Sequence, residues 1–255
     1  MLTIMVGGTP IGAGIRYFSI ECEHKEGWMN SERKSAIITG VLFVIATASA
    51  LVGTSITGSS LNATDYLAAI SADRSRVILS VILQFVAATT SAGIAMSLYP
   101  VLRKHSEGLA LGAVGFRIIE GVFYLVAALG LLSLVSLSGE YVKEGAALAS
   151  QFQSVGIMIM AARKWAGFVL AVVAFCIGAA MYYSVFFRTR LVPRWLSGWG
   201  LLGVATLFTM VILVMFGREP SGVVLVLAVP IAVQEMVLAV WLIAKGFAPT
   251  ADKRP

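Results

Sequence analysis

Charged residues are scarce in this sequence. Only 13% of its 255 residues are Asp, Glu, Lys or Arg, whereas 58% are apolar. Soluble domains carry about 25% charged and about 45–50% apolar residues. A soluble chain of this length cannot hide so much apolar surface around one core. Lipid accepts apolar side chains on the outside of a protein, so the composition predicts an integral membrane protein.

Cysteine and histidine are rare as well, with two of each. Cys22 lies in a polar stretch and Cys176 lies within an apolar run, so we expect no disulfide between them. His24 and His105 are far apart, and each lies beside charged residues, which indicates solvated histidines rather than metal ligands. No Cys/His spacing typical of zinc and no Ser/His/Asp set occurs. The sequence therefore predicts no metal and no cofactor, and it favours a protein that is not an enzyme.

Long apolar runs are what the sequence does have. Six of them can each cross about 30 Å of hydrocarbon at about 1.5 Å per residue. The runs are continuous and lack the alternation of barrel strands, so they indicate helices. We predict an all-α bundle of six transmembrane helices, near Ser35–Ile56, Val77–Leu98, Leu109–Leu137, Trp165–Phe187, Trp195–Phe216 and Val223–Ala244.

The basic residues lie in short clusters between these runs. They form no basic stripe with interleaved aromatics, which argues against nucleic acid as a partner and leaves the lipid bilayer. With an even number of spans both termini share a side, and that side carries twelve Lys and Arg residues against six on the other. The excess predicts that both termini are cytoplasmic.

The third loop, residues 138–164, is the longest. Leu148, Phe152, Val155 and Ile159 recur in it at helical spacing, with polar residues elsewhere on the wheel. We predict an amphipathic helix between spans three and four, which either lies on the outer surface or extends the fourth span outward.

The two ends of the chain differ from the spans. Residues 1–28 contain Pro10 and several glycines, and no positive segment precedes their apolar stretch. We expect these residues to be a poorly ordered leader upstream of a working start at Met29. The transmembrane domain is then 29–247, and 248–255 form a cytoplasmic tail.

Several aromatic residues fall near predicted helix ends, where amphipathic rings favour the headgroup region. We interpret them as interface anchors: Trp165, Trp195, Trp199, Trp241, Tyr99, Tyr182 and Tyr183.

A few polar residues lie at membrane depth. Arg117 and Glu120 are three residues apart on the third run, hence on one helix face, and Glu235 lies at a similar depth on the sixth. Pro230 precedes Glu235 and should kink its helix. The candidate intramembrane polar site consists of Arg117, Glu120, Tyr124, Gln234, Glu235 and Gln84.

Two interpretations of this site stay open. Ionisable residues inside a membrane indicate a functional site that binds or transports a small molecule or ion. A self-neutralising Arg–Glu arrangement is also typical of structural pinning between helices, in a protein that holds a partner and transports nothing. An intramembrane enzyme is a third alternative.

Five stretches resemble one known family. They begin at Met29-Asn-Ser-Glu-Arg-Lys and continue through Tyr99-Pro-Val-Leu-Arg-Lys-His and Gly115-Phe-Arg-Ile-Ile-Glu-Gly121. Leu191-Val-Pro-Arg-Trp-Leu-Ser-Gly-Trp-Gly200 and Gln234-Glu-Met-Val-Leu-Ala-Val-Trp-Leu complete the set. From about 29 to 247 the chain resembles the domain-of-unknown-function 4386 family of bacterial membrane proteins. The resemblance implies a multi-pass protein of the bacterial plasma membrane and brings no catalytic residues with it.

Overall fold

The protein is an all-α bundle. The computed structural model describes residues 11–144, 148–218 and 222–248, with side chains described from Ser31 onward, Val223 excepted. These residues are 89% helical and contain no strand. One π-helical segment, Lys164–Leu170, joins two of the α-helices. The α-helices are α1 Ile11–Leu61, α2 Tyr66–Ala72, α3 Arg74–Leu102, α4 Glu107–Glu144, α5 Ala149–Arg163, α6 Ala171–Thr189, α7 Arg194–Met215, α8 Val223–Val226 and α9 Val229–Ala244.

Within the described residues, six helices are long and apolar enough to cross a membrane, which confirms the prediction of six spans. Their bounds are Ser31–Leu61, Arg74–Leu102, Glu107–Glu144, Ala149–Thr189, Arg194–Met215 and Val224–Ala244. The chain is therefore a multi-pass membrane protein with an apolar surface suited to lipid.

The six spans form a closed ring. In chain order, α1, α3, α4, α6, α7 and α9 each pack on the next, and α9 packs on α1. The loops between most of them are short, so neighbouring helices run antiparallel. Side chains that point into the ring from α3, α4, α6 and α9 can therefore meet in its interior.

Hydrogen bonds between the first and last spans close this ring at one end. Arg33 donates from Nη1 to the Leu242 carbonyl at 3.1 Å and from Nη2 to the Ile243 carbonyl at 2.6 Å. These carbonyls belong to the last turn of α9; the Leu242 carbonyl also accepts from the backbone N–H of Gly246 at 3.1 Å, and the guanidinium supplies the further donors that the end of a helix lacks. We call the end of the bundle where Arg33 meets the last turn of α9 the terminal end. Lys104, Arg190 and Ala248 lie at this end too.

The opposite end of the bundle carries α2, which the sequence did not predict. The side chain of Asp65 caps α2 by accepting from the backbone N–H of Ala68 at 3.2 Å. Tyr141 donates to Asp65, and Tyr66 donates to the carbonyl of Gln153 on α5. The third-loop helix is thereby held against the bundle as a continuation of the fourth span, the second of the two predicted arrangements.

The sixth span is interrupted rather than merely kinked. Helix α8 ends at Val226, residues 227 and 228 form a turn, and α9 begins at Val229 with Pro230 as its second residue. Proline lacks a backbone donor and is tolerated in the first turn of a helix, where no donor is needed. The break at residues 227–228 therefore lies about two helical turns before Glu235.

Two sequence predictions need correction. Helix α1 begins at Ile11 and includes Gly12 and Gly14, so these glycines do not prevent a helix over residues 11–28; residues 1–10 lie outside the described part. Tyr182 and Tyr183 are fully buried in the bundle core, not at the headgroup level. By contrast, Trp195 is 56% exposed near the terminal end, as an interface anchor should be.

Candidate functional site

Arg117 and Glu120 form a buried ion pair in the middle of α4. Nη1 of Arg117 lies 3.0 Å from Oε2 of Glu120, and their side chains are only 3% and 4% exposed. The pairing that the three-residue spacing predicted is therefore present. Neither of the two atoms makes a hydrogen bond, so proximity of charge rather than hydrogen-bond geometry holds the pair. Arg117 lies ten residues into α4, which is roughly 15 Å from the helix start.

Neighbouring helices hold the Arg117 side chain in place. Nε donates to the carbonyl of Ser91 on α3 at 3.4 Å, and the guanidinium carbon lies 4.9 Å from the ring centroid of Phe175 on α6. A cation over an aromatic face is stabilised by the ring quadrupole, more strongly where water is excluded. Arg117 thus contacts both helices that flank α4.

Glu235 approaches the pair from α9. Its carboxylate interacts electrostatically with Arg117 and with Glu120, as their similar depths in the membrane predicted. Among the described residues, however, it forms no ion pair and no hydrogen bond, and its Oε1 is buried without a partner. With Arg117 already paired, Glu235 is the carboxylate left over.

Two further polar groups border the same space. The hydroxyl of Tyr182 on α6 is buried beside that of Tyr183 but makes no hydrogen bond of good geometry, and it interacts electrostatically with Glu235 and Arg117. The Ser91 hydroxyl, beside Glu120, is also buried without a hydrogen bond of acceptable geometry. We call Ser91, Arg117, Glu120, Tyr182 and Glu235 the central cluster.

The remaining predicted site residues are placed differently. Tyr124 lies within electrostatic range of Glu120 and Arg117, at the edge of the central cluster. Gln234 faces away, accepting a hydrogen bond from Tyr183 and donating to the Leu196 carbonyl at 3.1 Å. It joins α6, α7 and α9 with both of its polar atoms satisfied.

Gln84 also lies apart from the central cluster. Its Nε2 donates to the hydroxyl of Ser80, which donates in turn to the carbonyl of Gly53 on α1. Gln84 precedes Ser91 by seven residues on α3, about two helical turns or roughly 10 Å. The structure therefore assigns Gln84 to the packing of α3 on α1.

Sequence reasoning missed Ser91, Phe175 and Tyr182 as parts of the site. Ser91 and Phe175 lie in apolar runs with nothing to mark the face they occupy. Tyr182 was assigned to the headgroup region because it lies near the end of its run. A signal was present nonetheless, since Tyr182 precedes the basic end of α6 by nearly two turns, too deep for an anchor at the helix end.

A groove of about 510 Å³ lies beside the central cluster, between α6 and α7. Most of its lining is apolar, with the Cys176 thiol and the Ser184 hydroxyl as exceptions. Cys176 interacts electrostatically with Glu120 and Glu235. Neither carboxylate lines the groove itself, so the Cys176 region separates the groove from the buried charges.

Close helix contacts bring these groups together. A Cβ on Gly203 of α7 would lie 2.9 Å from the Ile231 Cα, so only glycine permits α9 to approach this closely. On α4, Gly112 lies against the Met181 side chain, while Gly108 has open space. Of these two glycines, only Gly112 therefore serves helix packing.

Comparison with known proteins identifies a family and no characterised relative. No curated protein and no solved structure shows significant similarity to the chain. The family profile described as domain of unknown function (DUF4386) matches residues 38–246, from the first membrane span to the end of α9. The match covers most of the chain and confirms the resemblance that the sequence motifs carry. The protein therefore belongs to the DUF4386 family.

Proposed function

We propose that this membrane protein binds a small cation, the proton included, within the bilayer, and that Glu235 is the carboxylate that holds it. The observation that carries the proposal is the buried, unpartnered Oε1 of Glu235 beside an Arg117–Glu120 pair that is already neutral. One arginine and two carboxylates leave one negative charge in the ring interior when all three are ionised.

Energetics favour a ligand at this position. A charge at the centre of a transmembrane helix costs roughly 2.5–3.5 kcal/mol on the insertion scale. Pairing within α4 offsets this cost for Arg117 and Glu120, but not for Glu235. A proton or a small cation at Glu235 removes the remaining charge. Buried polar atoms that lack partners cost about 1–3 kcal/mol each, which adds to the advantage of a bound species.

The break in the sixth span supports the same conclusion. Unwound backbone within a membrane span exposes polar groups that can coordinate an ion. Here the turn at residues 227–228 lies near the Val224 end of the sixth span, about two helical turns before Glu235, and next to the close contact of α7 with α9. Movement of the cation across the membrane would use this discontinuity.

The alternative function is structural pinning without transport. Arg117 contacts α3 and α6, and Gln234 ties three helices together, which is what a rigid subunit of a larger assembly needs. The Arg117–Glu120 pair, however, lies within a single helix and so contributes no lock between α4 and α9.

Infrared difference spectroscopy of the full chain in lipid bilayers tests the proposal. The difference between spectra recorded in acidic and in alkaline buffer should contain a carboxylic-acid C=O band from protonated Glu235. This band should be absent in Glu235→Gln. The band should remain in Glu140→Gln, which removes an exposed carboxylate from the same protein. A band unchanged in Glu235→Gln would contradict proton binding. If Na⁺ or K⁺ weakens this band, that ion competes with the proton for Glu235, which identifies the cation.

Liposomes containing the protein and a pH-sensitive dye test movement. If the cation crosses the membrane, an imposed Na⁺, K⁺ or pH gradient should produce a flux that Glu235→Gln abolishes and Glu140→Gln preserves. An infrared band from Glu235 without any ion flux would support cation binding at Glu235 without transport. The rest of the bundle would then have the structural function.

A further inference from the structure

A second pocket lies at the terminal end, away from the central cluster. It has a volume of about 330 Å³ and is formed where the loop after α6 meets the end of α9. Arg190 and Lys245 line it together with Leu191 and Trp241. The pocket combines two cationic side chains with an apolar wall.

The walls of this pocket are fixed by contacts. The backbone N–H of Ala248 donates to the Leu191 carbonyl at 2.8 Å, which ties the end of the described chain to the loop. The Phe247 ring packs on the buried Phe186 with centroids 6.0 Å apart. Gly246 has φ +75°, a left-handed conformation that lets the chain turn between these contacts. The pocket is therefore part of the folded bundle.

Three other basic residues at this end have evident uses. Lys104 pairs with Glu32, Arg33 satisfies the last carbonyls of α9, and Arg194 lies over the Phe187 ring. Over the described part of the chain, the side chains of Arg190 and Lys245 make no ion pair and no hydrogen bond. Because Arg33 already serves the α9 carbonyls, Lys245 is not needed for that purpose.

The backbone of Arg190 is unusual. Its φ is +59°, and over the described residues it is the one non-glycine residue with positive φ. Glycine is the residue that ends a helix in this conformation without steric cost. An arginine here keeps strain that a glycine would remove, and retained strain indicates that the side chain has a function.

The pocket lies at the level of the lipid headgroups. Trp241 lines it, and Trp195 and Trp199 lie on the first two turns of the neighbouring α7. Tryptophan is enriched at membrane–water interfaces, while the basic-residue count predicts that this end faces the cytoplasm.

We infer that this pocket binds the phosphate group of an anionic phospholipid, with Arg190 and Lys245 as its cationic contacts and the partly exposed Trp241 and Pro193 against the glycerol and upper acyl chain. Arginine and lysine are the usual partners of phosphate, and headgroup-level clusters of them select anionic lipids. This site does not depend on the central cluster.

The test measures binding of phosphatidylglycerol to the full chain, by native mass spectrometry or by thermal shift in phosphatidylcholine bilayers with added phosphatidylglycerol. A basic residue near an anionic membrane surface contributes about 1 kcal/mol, so Arg190→Gln and Lys245→Gln should each weaken binding about fivefold. Arg188→Gln is the matched control, because Arg188 is exposed at the same end but does not line the pocket.

Arg190→Gly separates binding from folding. It relieves the backbone strain, so the variant should be at least as stable as the original chain, yet it should lose about the same fivefold in lipid affinity. Equal losses in Arg188→Gln and Arg190→Gln would show attraction by diffuse surface charge and overturn the proposal. Unchanged affinity in Arg190→Gly would overturn it as well. Protection by inorganic phosphate as strong as by the lipid would assign the pocket to a free anion instead.

Discussion

Removing Arg117 should destabilise the protein more than removing Arg117 together with Glu120. In Arg117→Leu, the buried Glu120 and the partly buried Glu235 lose their only neighbouring cation in the described bundle, and the contacts of the guanidinium with the Ser91 carbonyl and Phe175 disappear. Breaking a buried pair from one side costs about 3–5 kcal/mol because the other charge is stranded. Unpaired, the three charges would cost on the order of 8–10 kcal/mol, comparable to a typical total stability.

The structure also predicts which glutamate rescues better. Glu120 lies 3.0 Å from the guanidinium, whereas Glu235 interacts with it only at longer range. Adding Glu120→Gln to Arg117→Leu should therefore recover more stability than adding Glu235→Gln. The coupling energy between Arg117 and Glu120 should be about 1–3 kcal/mol, within the range measured for residues in direct contact.

Reversible unfolding in detergent, followed for the single and double variants, measures this coupling. Lys143 and Glu140 supply a matched control: they have the same three-residue spacing on the same helix and lie 2.8 Å apart, but their side chains are 70% and 56% exposed. Lys143→Leu and Glu140→Gln should show a coupling below about 0.5 kcal/mol, as exposed pairs do. Strictly additive losses at Arg117 and Glu120, or a coupling no larger than that of the control, would refute the reasoning.

Three further predictions concern packing, pH and topology. Gly203→Ala should cost about 1–3 kcal/mol because its methyl group meets the backbone of Ile231, whereas Gly115→Ala, which has open space, should be neutral or gain up to about 1 kcal/mol in thermal unfolding. Burial lowers the pKa of His105 below its usual 6.5. The negative charge of Glu32 opposes this shift, and the positive charge of Lys104 adds to it. As pH falls through 6.5 the unfolded chain binds a proton before the folded chain does, so the melting temperature should fall, and His105→Gln should reduce this slope. Reporter fusions should indicate cytoplasm after Lys104, Arg190 and Pro255 and the outside near Ser60, Gly145 and Ser221, and two or more reversed reporters would contradict this topology.

The membrane spans could be predicted because their signal is one of length. An apolar run of about 20 residues has few alternatives to a transmembrane helix, and the structure places helices over all six runs. The Arg117–Glu120 pair was predictable for a similar reason, since a three-residue spacing fixes both side chains on one face whatever surrounds the helix. Both inferences depend only on local geometry.

The faces of the helices could not be predicted, because lipid removes the usual distinction between inside and outside. Leu129 is 62% exposed and Leu131, two residues later, is fully buried, yet both are leucines in one apolar run. In a soluble protein, leucine would be expected mainly at a buried position such as that of Leu131. Phe175 was missed for this reason, because nothing in its apolar run marks the face that it occupies. Only polar atoms mark the inside of such a bundle.

The central cluster divides its charges between two helices, with the Arg117–Glu120 pair on α4 and Glu235 on α9. Arg117 and Glu120 lie on one continuous helix, so their separation is unaffected by any shift of α4 against its neighbours. Glu235 lies on a separate helix that begins after a break and contributes the one carboxylate of the central cluster that forms no ion pair and no hydrogen bond. A change in the charge of Glu235 therefore alters the attraction between α9 and the α4 pair without disrupting the pair itself. This is the arrangement required if protonation or cation binding is to change how the sixth span packs on the bundle.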